Sequence, residues 1–213
     1  MIGLLASDPR SLTSIRVPQT AWKAHVADSL AGLELDALRA ARQIADLGSG
    51  AGFPGLVLAV ALPAAHVDLI ESVGRKCDFM REAITAAGIA NAEVIAGRSE
   101  EHAAATPGSG REAYDAVTAR AVARLSTLAE LASPLLREGG ALIAWKGKRD
   151  EGEEAELARA GKATAMELEQ VLEVGARSGY DHRHLHLVRK VAPTPANLPR
   201  RAGMAKKRPP GAA

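Results

Sequence analysis

The chain has 213 residues, enough to bury one sizeable core and short for a multi-domain assembly. Its 47% hydrophobic and 24% charged residues exclude collagen-like, disulfide-scaffold and wholly disordered architectures, and the single cysteine, Cys77, excludes an internal disulfide or a cysteine-based zinc cluster. Net charge is +2 but unevenly spread: Pro193–Ala213 carries Arg200, Arg201, Lys206, Lys207 and Arg208 with no acid, and the remainder holds 22 basic against 25 acidic residues.

Residues 1–42 read as an N-terminal helical segment. Met1–Pro18 has no sustained period, and Thr20 then caps a helix with Trp22, Val26 and Leu30 on one face. Residues 43 to 192 read as one domain of alternating strands and helices. Ile44, Ala45 and Leu47 form a short apolar strand, and the glycines after it open a helix with Leu56, Val57, Val60 and Ala61. His66–Ile70 is a second strand and Arg75–Ala87 a second helix with Phe79, Ile84 and Ala87 inward. Strands follow at Ala92–Ile95 and Tyr114–Thr118, then a helix at Leu125–Leu136 and a fifth strand at Ala141–Trp145, opened by Gly139-Gly140. A helix at Glu151–Ala160 precedes two alternating strands, Leu168–Val174 and His184–Val191. Such alternation predicts a mostly parallel sheet in a three-layer sandwich, because parallel strands need crossover helices. Residues 193–213 form a basic tail, which is either a handle for a polyanion or a solvated, Pro-rich end. The longest apolar run, Gly52–Ala65, contains two prolines and falls short of the ~20 residues that span a bilayer. Met1–Ala6 lacks the basic start of a signal peptide, so the expected location is a reducing cytoplasm without membrane attachment.

Asp46-Leu47-Gly48-Ser49-Gly50-Ala51-Gly52-Phe53-Pro54-Gly55 lies between a strand and a helix, the context a cofactor-cradling loop requires. Its glycines allow a tight turn and a bare backbone that a ligand can approach. Read from Gly50 it matches the dinucleotide fingerprint, but two residues late and with Pro54 inside the turn. Read from Gly48, the acid Asp46 stands at the strand end facing the ligand, where it repels a pyrophosphate and welcomes an ammonium. That choice favours S-adenosylmethionine over NAD. Glu71 ends the next strand and can accept both ribose hydroxyls, a contact the two cofactors share.

His25-Val26-Ala27-Asp28-Ser29-Leu30, Asp46–Gly55, Glu71-Ser72-Val73-Gly74-Arg75-Lys76, Gly97-Arg98-Ser99-Glu100-Glu101, Thr118-Ala119-Arg120-Ala121, Trp145-Lys146-Gly147 and Pro199-Arg200-Arg201-Ala202-Gly203 occur in that order. Together they resemble the bacterial small-subunit ribosomal RNA guanine-N7 methyltransferase family, from about Ser11 to the C-terminus. The resemblance implies a seven-stranded class I, Rossmann-like methyltransferase fold and a guanine in the 530 loop of 16S rRNA as substrate. It also implies cofactor contacts at Gly48, Phe53, Ser99, Glu100 and Arg120. Two departures stand out: ten residues precede Ser11 where the family has a helical segment, and Ser11 stands where the family shows Asn.

The remaining chemistry is read from what is missing. Cys77 falls inside a helix rather than at a strand end, which suits a packed thiol and not a C5 nucleophile. The Asn/Asp-Pro-Pro-aromatic motif of exocyclic-amine methylases is replaced by Thr118-Ala119-Arg120-Ala121. Guanine N7 has an in-plane lone pair and needs alignment rather than a general base, so Arg120 is expected to position guanine, cofactor or both. Arg75, Lys76, Arg124, Lys146, Lys148 and Arg149 follow strand ends or open helices and, with Arg200 and Arg201, are candidates for RNA contact. His25 and Asp28 share a helix face and either line an RNA entrance or fix the helix. His182, His184 and His186 alternate along a strand with no acid or cysteine to complete a shell, so no metal site is expected. The acids at 150–156 suit a helix N-terminus. Six aromatic residues are too few for a broad base-stacking surface. A small-molecule methyltransferase and a non-catalytic nucleic-acid-binding protein are the competing readings; a monomer acting on 16S rRNA or the small subunit is the preferred one.

Overall fold

A computed structural model describes residues 3, 20, 22–104, 110–175 and 182–211; the segment around Ser11 lies outside them. Seven strands form one sheet in the order β3-β2-β1-β4-β5-β7-β6. They are β1 (Gln43–Leu47), β2 (His66–Glu71), β3 (Ala92–Ala96), β4 (Tyr114–Arg120), β5 (Leu136–Lys146), β6 (Met166–Glu173) and β7 (His184–Lys190). Pairs β1–β2, β1–β4, β2–β3 and β4–β5 are parallel, while β7 runs antiparallel to both β5 and β6. The sheet is thus mostly parallel, as its sequence pattern predicts.

The helices are α1 (Asp28–Leu30), α2 (Asp36–Arg39), α3 (Gly55–Ala61), α4 (Gly74–Ala87), α5 (Ser99–Ala104), α6 (Leu125–Ala132), α7 (Glu151–Thr164) and α8 (Met204–Lys207). A π-helical turn, Trp22–Ala27, runs directly into α1. Two apolar clusters cover the two faces of the sheet: one joins α3 and α4 to the N-terminal segment around Leu38, Leu56, Phe79 and Trp145, the other joins α6 and α7 through Leu125, Leu128 and Leu157. β1 shows why both are needed. Ile44 enters the first cluster and Ala45 and Leu47 the second, so this central strand is apolar on both faces.

Local chemistry sets the element ends. Gly88, at φ +64°, closes α4 with its N–H on Ile84 and Thr85 carbonyls. Asp150 caps α7 by accepting the Glu153 N–H. The helix expected at Leu125–Leu136 stops at Ala132, because Pro134 has no N–H to continue it. The fifth strand instead begins at Leu136: Leu136 pairs with Tyr114 and Ala141 with Ala116, so the residues around Gly139, at φ +76°, bulge out. The inward face expected for the N-terminal helix is corrected. Trp22 is 57% exposed and Leu30 also faces solvent, while Ala24, Val26, Asp28 and Ser29 are buried, because the π turn rotates the face away from the i, i+4 row. Val60 and Ala87 are likewise exposed; α4 buries Cys77, Phe79, Met80 and Ala83. Among the described residues no helix is long and apolar enough to cross a membrane.

Candidate cofactor and substrate site

The C-terminal ends of β1 to β4 open onto a cavity of about 380 Å³, within the range of small-molecule sites. Leu47 and Gly48 line it from β1, Ile70 and Glu71 from β2, Arg98, Ser99 and Glu100 after β3, and Ala121 and Val122 after β4. The loop after β1 is held from both sides. Gly48 and Ser49 donate N–H bonds to the Ile70 carbonyl at 2.9 and 3.2 Å, and Gly50 donates to Glu71 Oε2 at 3.0 Å. Glu71 Oε1 accepts the Ser72 and Val73 amides, each at 2.9 Å. Three backbone N–H groups therefore fix this buried carboxylate at the cavity wall, with the Lys76 ammonium 3.8 Å away. Glycine is required at 48 and 50, whose φ angles are +69° and +61°. A Cβ on Gly48 would also stand 2.9 Å from Val122.

Asp46, expected to face the ligand, does not line the cavity. It is fully buried; Oδ2 accepts the Gly55 N–H at 3.0 Å and Oδ1 the Thr118 hydroxyl at 2.8 Å. The alternation of β1 explains this, since Leu47 reaches the cavity and its neighbour must point to the other face, under the start of α3. Burial pushes the Asp46 carboxyl above the usual range while its hydrogen bonds and the Arg120 charge oppose the shift.

Arg120 and Phe53 also sit apart from the cavity lining. Arg120 Nη1 donates to Asp28 Oδ2 at 2.9 Å and to the Ala24 carbonyl at 3.2 Å, and Nη2 lies 3.3 Å from His25 Nδ1. Its guanidinium stands 5.6 Å from the centre of the Phe53 ring, on which His25 stacks at 4.7 Å and 19°. Asp28 is wholly buried and also pairs with Arg183 Nε at 2.7 Å, and its carbonyl accepts the Trp145 indole N–H at 2.8 Å. Of the two roles left open for His25 and Asp28, the geometry gives fixing of the helix: they tie it to the end of β4 and to Phe53.

The other cations divide. Arg124 pairs with Glu156 at 2.8 Å and Lys146 with Glu153 at 2.6 Å, so the acids at the start of α7 act as counter-charges as well as favouring the helix dipole. Arg149 pairs with Glu154, and Arg200 grips the buried Glu130 through Nε and Nη2. Arg75, Lys148 and Arg201 are exposed. Residues 193–211 are thus no free arm. Leu198 and Ala205 are buried, the Arg111 guanidinium donates to the Leu198 carbonyl at 3.1 Å, and the Gly203 N–H reaches Glu100 Oε1 at 2.7 Å. Gly203, Ala205 and Lys206 complete the cavity wall. Sequence reasoning missed that wall and Arg98; the signal within reach was Gly203, the left-handed residue that starts α8.

Cys77 is buried in α4 with its thiol on the Glu71 carbonyl at 3.2 Å, and burial raises its pKa. His186 is buried against Glu154 at 3.1 Å, His184 contacts the Gly147 carbonyl, and His182 is exposed, so the alternating histidines do not converge.

Residues 4–186 match the model of a family described as GidB, rRNA small subunit methyltransferase G. The chain is 42% identical over 200 residues to ribosomal RNA small subunit methyltransferase G of Rubrobacter xylanophilus, covering 91% of this chain and 75% of the relative. It is 37% identical over 210 residues to the protein of the same name in Gloeobacter violaceus, covering 98% and 83% respectively. Among solved structures it is similar in fold to a SAM dependent methyltransferase from Aquifex aeolicus, with a TM-score of 0.61, 16% identity, and 85% and 97% of the two chains covered.

Proposed function

Because the chain belongs to the rRNA small subunit methyltransferase G family and has a class I methyltransferase fold, we propose that it transfers the methyl group of S-adenosylmethionine to N7 of a guanine in the 530 loop of 16S ribosomal RNA. The observation that carries the reading is the lining of the cavity: Gly48, Glu71, Ser99 and Glu100 surround it, and among the described residues it has no histidine, cysteine or tyrosine on its wall. Those residues fit the cofactor. The glycine turn leaves backbone bare at the end of β1, Glu71 is held as a fixed acceptor at the end of β2, and the apolar Leu47, Ile70, Val122 and Leu131 shield the space between.

When bound, S-adenosylmethionine would supply an electrophilic sulfonium methyl with a thioether as its leaving group. Guanine N7 attacks with its own lone pair, so the chain needs no base; it must align the reactants and keep water out. Glu71 and Ser99 would hold the cofactor's hydroxyl and polar groups, and the bare backbone of the turn at Gly48–Gly50 would let it approach the end of β1. Arg120, locked by Asp28, keeps Phe53 and the glycine turn in register with the end of β4.

The test is nucleoside mass analysis of 16S rRNA from cells with and without the gene. Loss of one 7-methylguanosine from the 530 loop, restored by the wild-type chain, is the expected result. An unchanged nucleoside profile would refute the assignment.

A further inference from the structure

Most cations near the strand ends are spent on internal acids: Arg120 on Asp28, Arg124 on Glu156, Lys146 on Glu153 and Arg200 on Glu130. Arg98 and Lys206, both exposed, differ in two respects: neither side chain forms an ion pair among the described residues, and both line the cavity, one from the turn after β3 and the other from α8. The two segments are fastened together between them. Glu100, two residues after Arg98, accepts the N–H of Gly203, three residues before Lys206, at 2.7 Å. Arg98 Nη2 passes so close to Gly203 that a Cβ there would lie 3.3 Å away. Two unpaired positive charges are thus set side by side at the rim of the cavity by a hydrogen bond 103 residues long in sequence.

The nearby carboxylates are engaged elsewhere: Glu71 is held by three amides, Glu100 by Gly203 and Ser99, and Glu101 by the backbone N–H of Arg98 at 3.3 Å, and among the described residues none forms an ion pair with either cation. An arginine fork beside a lysine point charge suits an anion with several equivalent oxygens. We propose that Arg98 and Lys206 form a clamp for backbone phosphates of the single-stranded RNA that flanks the target nucleotide. This rests on the RNA-methyltransferase reading. It adds to it a second anchoring point, outside the reacting centre, that holds the strand across the cavity mouth. A phosphate is specified here because S-adenosylmethionine carries none; its carboxylate is the one competing anion, and the experiment separates the two.

Arg98→Gln, Lys206→Gln, the double variant, and a control on the remote exposed Lys162→Gln are compared with the wild-type chain. RNA affinity is measured by fluorescence anisotropy with an oligonucleotide of the 530 stem-loop between about 50 and 200 mM salt, a range in which phosphate contacts change affinity strongly. Affinity for S-adenosylhomocysteine is measured by calorimetry, and methylation of the oligonucleotide alongside. The double variant is expected to lose about tenfold in RNA affinity, and its log–log salt slope to flatten by about 1.4, or about 0.7 per single-strand phosphate contact. Product affinity and melting temperature stay as in wild type. An unchanged salt slope in the double variant overturns the clamp while leaving the RNA reading intact. A parallel loss of S-adenosylhomocysteine affinity also overturns it, by assigning the cations to the cofactor carboxylate. A wild-type chain that binds S-adenosylhomocysteine but neither holds nor methylates the RNA overturns both readings together.

Discussion

Arg200→Ala should destabilise the whole chain, although Arg200 lies in a stretch whose composition suggests a solvated tail. Glu130 on α6 is 4% exposed, and the Arg200 guanidinium meets its carboxylate through two nitrogens, Nε at 2.6 Å. Removing one partner of a buried pair costs about 3–5 kcal/mol, because the remaining charge stays desolvated. The Arg200 side chain is 28% exposed, so water reaches the pair and about 2–3 kcal/mol is the appropriate magnitude. In a chain of this length each kcal/mol moves the midpoint by about 2–4 °C, giving a fall of about 4–12 °C. Scanning calorimetry would measure it against Arg201→Ala, an exposed neighbour expected to stay within about 0.5 kcal/mol of wild type. Adding Glu130→Gln to Arg200→Ala should recover most of the loss, since the buried charge is then gone. Equal melting of the two single variants, or no recovery in the double variant, would refute the reasoning.

Three further variants test other parts of the site. Burial first, and the neighbouring Arg120 charge second, push the His25 pKa down to about 4 from its ordinary 6.5. The folded chain thus favours the neutral ring, so this contribution is complete above about pH 6.5 and is lost as pH falls towards 4; His25→Gln should remove that part of the slope in urea unfolding, and superimposable pH profiles would count against it. Gly50→Val should abolish S-adenosylhomocysteine binding at a stability cost of about 1–2 kcal/mol, the penalty of a left-handed φ for a branched residue. Gly55→Ala should instead compromise folding, since its Cβ would stand 2.3 Å from Leu69 and 2.7 Å from Asp46 Oδ2. Equal melting temperatures for these two variants would show that the loop is not built as described.

Four of the residues that the sequence names as cofactor contacts, Gly48, Glu71, Ser99 and Glu100, line the cavity, and all lie at or just after strand ends. Chain order predicts such positions because short loops in a parallel sheet keep strand C-termini together. Asp46 was misplaced for a different reason. A strand end can be located from periodicity, but the face its last acid takes depends on whether a neighbouring backbone N–H, here that of Gly55, needs an acceptor. Arg120 was legible as a residue at the end of β4 and illegible as a partner of Asp28, because ion pairs between distant segments leave no local period. The C-terminal segment was hardest. It is held by two buried apolar residues, Leu198 and Ala205, and by pairings with Glu130 and Glu100, so it has too little apolar pattern to announce that it folds back.

That segment has a thermodynamic consequence. Since Gly203, Ala205 and Lys206 are part of the cavity wall, any molecule that touches them draws on the same free energy that keeps residues 198–208 docked. Linkage makes the relation reciprocal: occupancy of the cavity tightens the docking, and each contact that secures the docking, including the distant grip of Arg200 on Glu130, contributes to affinity without touching the ligand. The affinity of any molecule that reaches this wall is therefore set partly at α6, on a residue that no inspection of the cavity lining would select.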